Sequence, residues 1–113
     1  MDKTRELYAD LGNNNRFVLD KGDLSSGIMN LYYSDRGTFV ILPLDTVSVV
    51  LTPKSALDTP LPVVFSQTGY NQLSYTVGPV NNTGSYYMDV IIHRATGERI
   101  VANDSSVIEF HIK

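Results

Sequence analysis

The sequence predicts an all-β, immunoglobulin-like antiparallel sandwich of about seven strands, with a short N-terminal helical or irregular arm. Three observations carry that expectation. From Arg16 onward apolar and polar residues alternate with a period of two, as in strands with one buried face. Clusters of Gly, Pro, Asn and Asp interrupt the alternation about every eight to twelve residues, a spacing typical of sandwiches and barrels. The chain has 113 residues, 42% hydrophobic and 19% charged, which suits a single globular domain with one core. A small closed barrel is the alternative architecture.

The arm is placed at residues 1–15 and the sandwich at 16–113. In the arm, Leu7 and Leu11 have helical spacing with Tyr8 beside them, and Gly12 followed by Asn13, Asn14 and Asn15 ends the pattern. So short a helix is marginal alone in water, so Leu7, Tyr8 and Leu11 are expected to dock on an adjacent protein or on their own domain. The first strand then runs from Arg16 to Asp20 and the second from Gly27 to Tyr33. Ser34 to Gly37 reads as a hairpin turn, with Thr38 to Leu42 as its short partner strand. After Pro43 and Asp45, Thr46 to Thr52 has Val47, Val49 and Leu51 on one side. The weak strand from Val63 to Ser66 lies among Pro53, Pro60 and Pro62 and is expected at an edge, because proline cannot donate to a central ladder.

Leu73 to Val77 alternates cleanly, and the long strand from Ser85 to Arg94 sets Tyr86, Met88, Val90 and Ile92 against Tyr87, Asp89, Ile91 and His93. Asp89 marks the wet face. Arg99 to Ala102 follows a turn, and the last strand points Ile108, Phe110 and Ile112 inward, with Glu109, His111 and Lys113 outward. Tyr86, at the start of the longest strand, is the candidate for a tyrosine corner, its hydroxyl bonded to backbone in the Val80 to Gly84 connection.

Composition excludes several chemistries. Nine basic against twelve acidic residues give a net charge of −3, the wrong sign for neutralising phosphates, so no nucleic-acid partner is expected. The chain has no cysteine, hence no disulfide, thiolate nucleophile or Cys-ligated zinc. His93 and His111 occupy outward positions without the spacing of a zinc site or the company of a nucleophile elbow. No enzyme activity, cofactor or metal is therefore expected. The N-terminus is charged, and no apolar run reaches the roughly 20 residues of a membrane span, so the chain is expected to be made as a soluble protein without membrane insertion. Asp20 and Asp23 around Lys21 and Gly22 read as a turn. Two glycosylation-type triplets, Asn81 to Thr83 and Asn103 to Ser105, also read as turns.

Seven tyrosines and no tryptophan remain. Tyr32, Tyr70 and Tyr87 are expected to be exposed, and exposed tyrosine suits contact surfaces because it joins a large apolar area to a polar tip.

The course of the chain resembles the N-terminal domain of upper baseplate proteins of siphophages that infect Gram-positive bacteria. The resemblance runs from Phe17 to Lys113: an Asp20 to Asp23 lead-in, then GIMNLYYSDRGTFVILPLDTVSVVLTP, NQLSYTV, NNTGSYYMDVIIHRATGERIVA and SVIEFHIK. It implies a structural domain that docks on a phage baseplate and offers no catalytic residue. Family members carry receptor-binding proteins on a helical, trimer-forming extension. This sequence stops at Lys113, after the last strand, so the carrier role is not transferred, and a truncated chain or a small related virion protein is expected.

The expected function is thus a non-enzymatic structural module of a phage tail or baseplate, made in the host cytoplasm and located in the virion. It would contact other tail proteins and further copies of itself. The alternative is a carbohydrate-binding module that recognises cell-surface glycan through an aromatic face near Tyr32 and Tyr87.

Overall fold

The computed structural model describes residues 6–35, 37–55, 59–103 and 106–113. Its strands in chain order are β1 (Leu7–Asp10), β2 (Arg16–Leu19), β3 (Ser25–Tyr33), β4 (Thr46–Pro53) and β5 (Leu61–Pro62), then β6 (Val64–Gly69), β7 (Gln72–Val77), β8 (Gly84–His93), β9 (Arg99–Val101) and β10 (Glu109–Ile112). They form a four-stranded sheet in the order β1-β3-β7-β6 and a six-stranded sheet in the order β2-β10-β8-β4-β5, with β9 also against β8. The two inner faces enclose the core, and the chain is an immunoglobulin-like β-sandwich.

The alternation read from the sequence decides which side chains go inside. Tyr86, Met88, Val90 and Ile92 of β8 are buried, as are Leu73, Tyr75 and Val77 of β7 and Phe110 and Ile112 of β10. Phe17 of β2 stacks on Phe110 with ring centroids 4.8 Å apart. Each large side chain removed from water in this way stabilises the fold by roughly 1.5–3 kcal/mol. Tyr86 donates its hydroxyl hydrogen to the Asn82 carbonyl at 3.1 Å. A buried ring thus ties the start of β8 to the connection before it.

Two expectations are corrected. Residues 7–10, expected in an arm, form β1, which pairs antiparallel with β3 in the register Leu7 to Tyr33 and Ala9 to Leu31. The sandwich therefore starts upstream of Arg16. Leu7 and Ala9 are 1% and 0% exposed, so Leu7 is a core residue and not a contact for a partner. Leu11 is half-buried and packs against the same core. Residues 1–5 of the expected arm lie outside the described residues.

The second correction concerns residues 38–42, which are not a strand. They keep the predicted alternation, with Phe39 and Ile41 buried. Instead of forming a hairpin ladder, they reach the β6 to β7 turn, where the Ile41 N–H donates to the Tyr70 carbonyl at 2.6 Å. Arg36, in the expected hairpin turn, lies outside the described residues.

The chain leaves one sheet and enters the other between β1 and β2. Gly12 has φ 81°, and Asn13, Asn14 and Asn15 have φ 53°, 55° and 57°, the left-handed region that Gly and Asn tolerate best. This reversal lets β2 run parallel to β10 in the opposite sheet. The outer edge of β1 is closed by Asn103, whose Oδ1 accepts from the Ala9 N–H at 3.3 Å and whose Nδ2 donates to the Ala9 carbonyl at 3.1 Å. The Asn103 N–H donates to the Leu7 carbonyl at 2.7 Å, while the preceding Ala102 N–H donates to Val90 of β8 at 2.9 Å. The segment from Ala102 to Asn103 therefore joins the two sheets.

Two stability predictions follow from these bonds. Tyr86→Phe keeps the ring and loses the bond to Asn82, so it should cost about 1 kcal/mol and lower the melting temperature by about 4 °C. Asn103→Ala leaves the buried Ala9 N–H without an acceptor, and should cost about 2 kcal/mol. Hydrogen exchange should then speed up first at the amides of β1; an unchanged β1 would contradict the assigned role of Asn103.

Candidate functional site

Two surface features stand out, a polar groove beside β1 and an apolar end of the sandwich. The groove starts from the outward residues of β1. Strand alternation that sends Leu7 and Ala9 inward sends Tyr8 and Asp10 outward, where the antiparallel register sets Tyr8 opposite Tyr32 and Asp10 opposite Asn30. The Tyr8 and Tyr32 rings are tilted by 45° with centroids 5.7 Å apart. The left-handed turn then brings Asn14 and Asn15 beside Asp10, and Asn103 and Ser106 form the far wall of a groove of about 370 Å³.

The walls are fixed by hydrogen bonds. Asn15 accepts from the Leu11 N–H at 2.8 Å and donates to the Ala9 carbonyl at 3.0 Å. Asp10 Oδ1 accepts from the Gly12 N–H at 2.8 Å, and Tyr8 donates its hydroxyl hydrogen to Glu6 Oε2 at 3.2 Å. Asn103 is occupied by Ala9, as described. These bonds leave Asp10 Oδ2, the Tyr32 hydroxyl, the Asn14 amide and the Ser106 hydroxyl as the groups that can meet a ligand. Partial burial raises the Tyr32 pKa above its ordinary value, helped by the negative charge of Asp10 and by Tyr8.

Of the residues singled out from the sequence, Tyr8 and Tyr32 are therefore brought together. Tyr87 is not: it is half-buried on the outer face of the six-stranded sheet, beside Glu109 of β10 and Thr52 of β4. Tyr32 and Tyr87 belong to opposite sheets, so the single aromatic face expected from them does not exist. His93 sits in register with Arg99 and Thr46, whereas His111 faces Ser85 near the other end of β8. The two histidines do not form a pair. Sequence reading missed Asp10, Asn14, Asn15 and Asn103. The available signal was the run of three asparagines after Gly12, two residues beyond Asp10.

The apolar end is built by the connection from β3 to β4. Phe39 and Ile41 turn inward, so Val40, Leu42 and Leu44 face solvent with exposures of 40%, 48% and 78%. Tyr70, 59% exposed, belongs to the residue pair that bonds this connection to the β6 to β7 turn. An ion pair holds the connection in shape. Arg94 Nη1 lies 2.8 Å from Asp45 Oδ2, with side-chain exposures of only 14% and 1%. The same Asp45 oxygen accepts from the Leu42 N–H at 2.8 Å, and the Arg94 guanidinium carbon sits 5.0 Å from the Phe39 ring centroid. Such a shielded pair specifies a conformation more surely than it adds stability, because desolvation offsets much of its Coulomb energy.

The groove makes a prediction about pH. A neutral Tyr32 phenol is favoured by the fold, so its contribution to stability is complete below the ordinary tyrosine value of 10.0 and is lost as pH rises through the raised value. Asp10→Asn keeps the acceptor oxygen for Gly12 and removes the charge, so the Tyr32 pKa should fall while remaining above its ordinary value. Ultraviolet titration of both proteins, with Tyr32→Phe identifying the transition, checks this; an unmoved value would remove Asp10 from the groove's electrostatics.

No family model matches the sequence, and no curated protein matches it. Among solved structures, murine CRIg is similar at 9% identity and a TM-score of 0.48, over 98% of this chain and 99% of that one. PcoC, a methionine-rich copper resistance protein from Escherichia coli, is similar at 12% identity and a TM-score of 0.46, over 98% of this chain and 100% of that one. Its selenomethionine form gives 13% identity and a TM-score of 0.42, over 87% and 89% of the two chains.

Proposed function

We propose that the chain is a non-enzymatic assembly module of a phage tail or baseplate, made in the host cytoplasm and built into the virion through contacts with neighbouring tail subunits and copies of itself. The observation that carries this reading is the apolar end: Val40, Leu42, Leu44 and Tyr70 face solvent on a connection that a shielded ion pair holds in place. Exposed apolar clusters favour association, since covering a leucine removes its side chain from water for roughly 1.5–3 kcal/mol. Because Asp45 and Arg94 already order the connection, docking there loses less conformational entropy than docking on a free loop. The resemblance of residues 17–113 to the N-terminal domain of upper baseplate proteins supplies the class of partner.

The test is co-expression with the products of the genes that flank its own, followed by size-exclusion chromatography with light scattering. A complex with a tail protein is expected, and Leu42→Asp with Leu44→Asp should weaken it at least tenfold while leaving the melting temperature of the free domain unchanged. A domain that stays monomeric beside every flanking product, or a complex that the double variant leaves intact, defeats the proposal.

A further inference from the structure

We propose that the groove of Tyr8, Tyr32, Asp10 and Asn14 binds neutral pyranose rings of an oligosaccharide. This inference is independent of the assembly role, because it rests on a different set of residues. Its basis is the pairing of two chemistries in one small space. A pyranose presents apolar C–H faces and a rim of hydroxyl groups, so a site for it needs an aromatic surface next to acceptors and donors of fixed direction. The tilted Tyr8 and Tyr32 rings supply the aromatic surface. Asp10 Oδ2 accepts from sugar hydroxyls, and the Asn14 amide and the hydroxyls of Tyr32 and Ser106 both donate and accept. The volume of about 370 Å³ falls in the lower part of the range for small-ligand sites, roughly 300–1,000 Å³.

Two further features narrow the ligand. Among the described residues Asp10 is the only charged one lining the groove, so a phosphorylated or carboxylated sugar would meet its repulsion with no described cation beside it. That selects neutral sugars. The walls are also set before any ligand arrives, because the amides of Asn15 and Asn103 are committed to Leu11 and Ala9. At those two positions little side-chain ordering is left to oppose binding. The sequence-based alternative placed a sugar face near Tyr32 and Tyr87; the geometry moves it to Tyr32 and Tyr8.

The probes are maltohexaose, laminarihexaose and N-acetylchitohexaose, with a polyglycerol phosphate as the anionic arm, titrated into the whole domain and followed by amide NMR shifts. At least one neutral hexaose should give saturable shifts centred on Tyr8, Asp10, Asn14 and Tyr32. Tyr32→Ala should weaken binding at least tenfold, as should Asp10→Asn, which is nearly isosteric and guards against a mere folding defect. Tyr70→Ala and the Leu42→Asp, Leu44→Asp double variant should bind like the parent, which separates this site from the assembly surface. The inference is overturned if no neutral hexaose saturates, if the shifts centre elsewhere, if the anionic polymer binds more tightly, or if both groove variants bind normally.

Discussion

The backbone of Ala9 imposes the constraint on which the rest of the structure depends. Ala9 is fully buried, yet it stands on the outer edge of a sheet, where a strand has no neighbour to satisfy its N–H and C=O. A buried polar group left unpaired costs on the order of 1–3 kcal/mol, enough to release a four-residue strand. Asn103 meets both groups with its own amide, imitating one residue of a further strand, and Asn15 adds a second donor to the carbonyl. Both asparagines have positive φ, so the same residues that turn the chain also satisfy it. Once the edge is closed, β1 holds Leu7 in the core and points Tyr8 and Asp10 to the outside. The groove is a consequence of that closure.

How far this was legible depends on what kind of information each element needs. The burial of β7, β8 and β10 follows from alternation alone, because inward and outward positions are properties of the strand itself. The corner at Tyr86 was legible for a similar reason: a buried phenol at the start of the longest strand must find a nearby acceptor, and the preceding connection provides one. Residues 7–11 misled because Leu7 and Leu11 have helical spacing while the true inward pair, Leu7 and Ala9, includes a residue too small to register as a core position. The outward Tyr8 looked like part of the apolar pattern. At residues 38–42 the alternation was right and the pairing was not, since a period of two reports which side faces the core but not whether a neighbouring strand exists.

The functional surfaces were less legible because they join distant parts of the chain. Asn103 reaches Ala9 across 94 positions, and Arg94 reaches Asp45 across 49. Nothing local in the sequence marks either pair. Asn103 even carried a competing reading as the first residue of a glycosylation-type triplet, yet its side chain is committed to β1. The partner residues of the triplet, Asp104 and Ser105, lie outside the described residues. Tyr32 and Tyr87 illustrate the converse: both were correctly placed on outward faces, but one sequence cannot say that the two outward faces belong to opposite sheets.

The end of β3 supports both proposed surfaces. Consecutive strand residues point to opposite faces, so Tyr32 enters the groove while Tyr33 turns inward and meets Phe39 edge-on, with centroids 5.4 Å apart. Phe39 in turn lies under the Arg94 guanidinium that holds Asp45. Tyr33, Phe39 and the ion pair form one packed set on the inner side, and the β3 backbone joins that set to Tyr32 in the groove. Close packing makes such a set stiff, because a gap of even half an ångström forfeits a substantial part of the contact energy. The two surfaces are thus fixed in relative position by the core, not by a hinge. If both proposals hold, a subunit docked at the apolar end and a ligand in the groove are kept at a constant angle to each other, because the core between them does not bend.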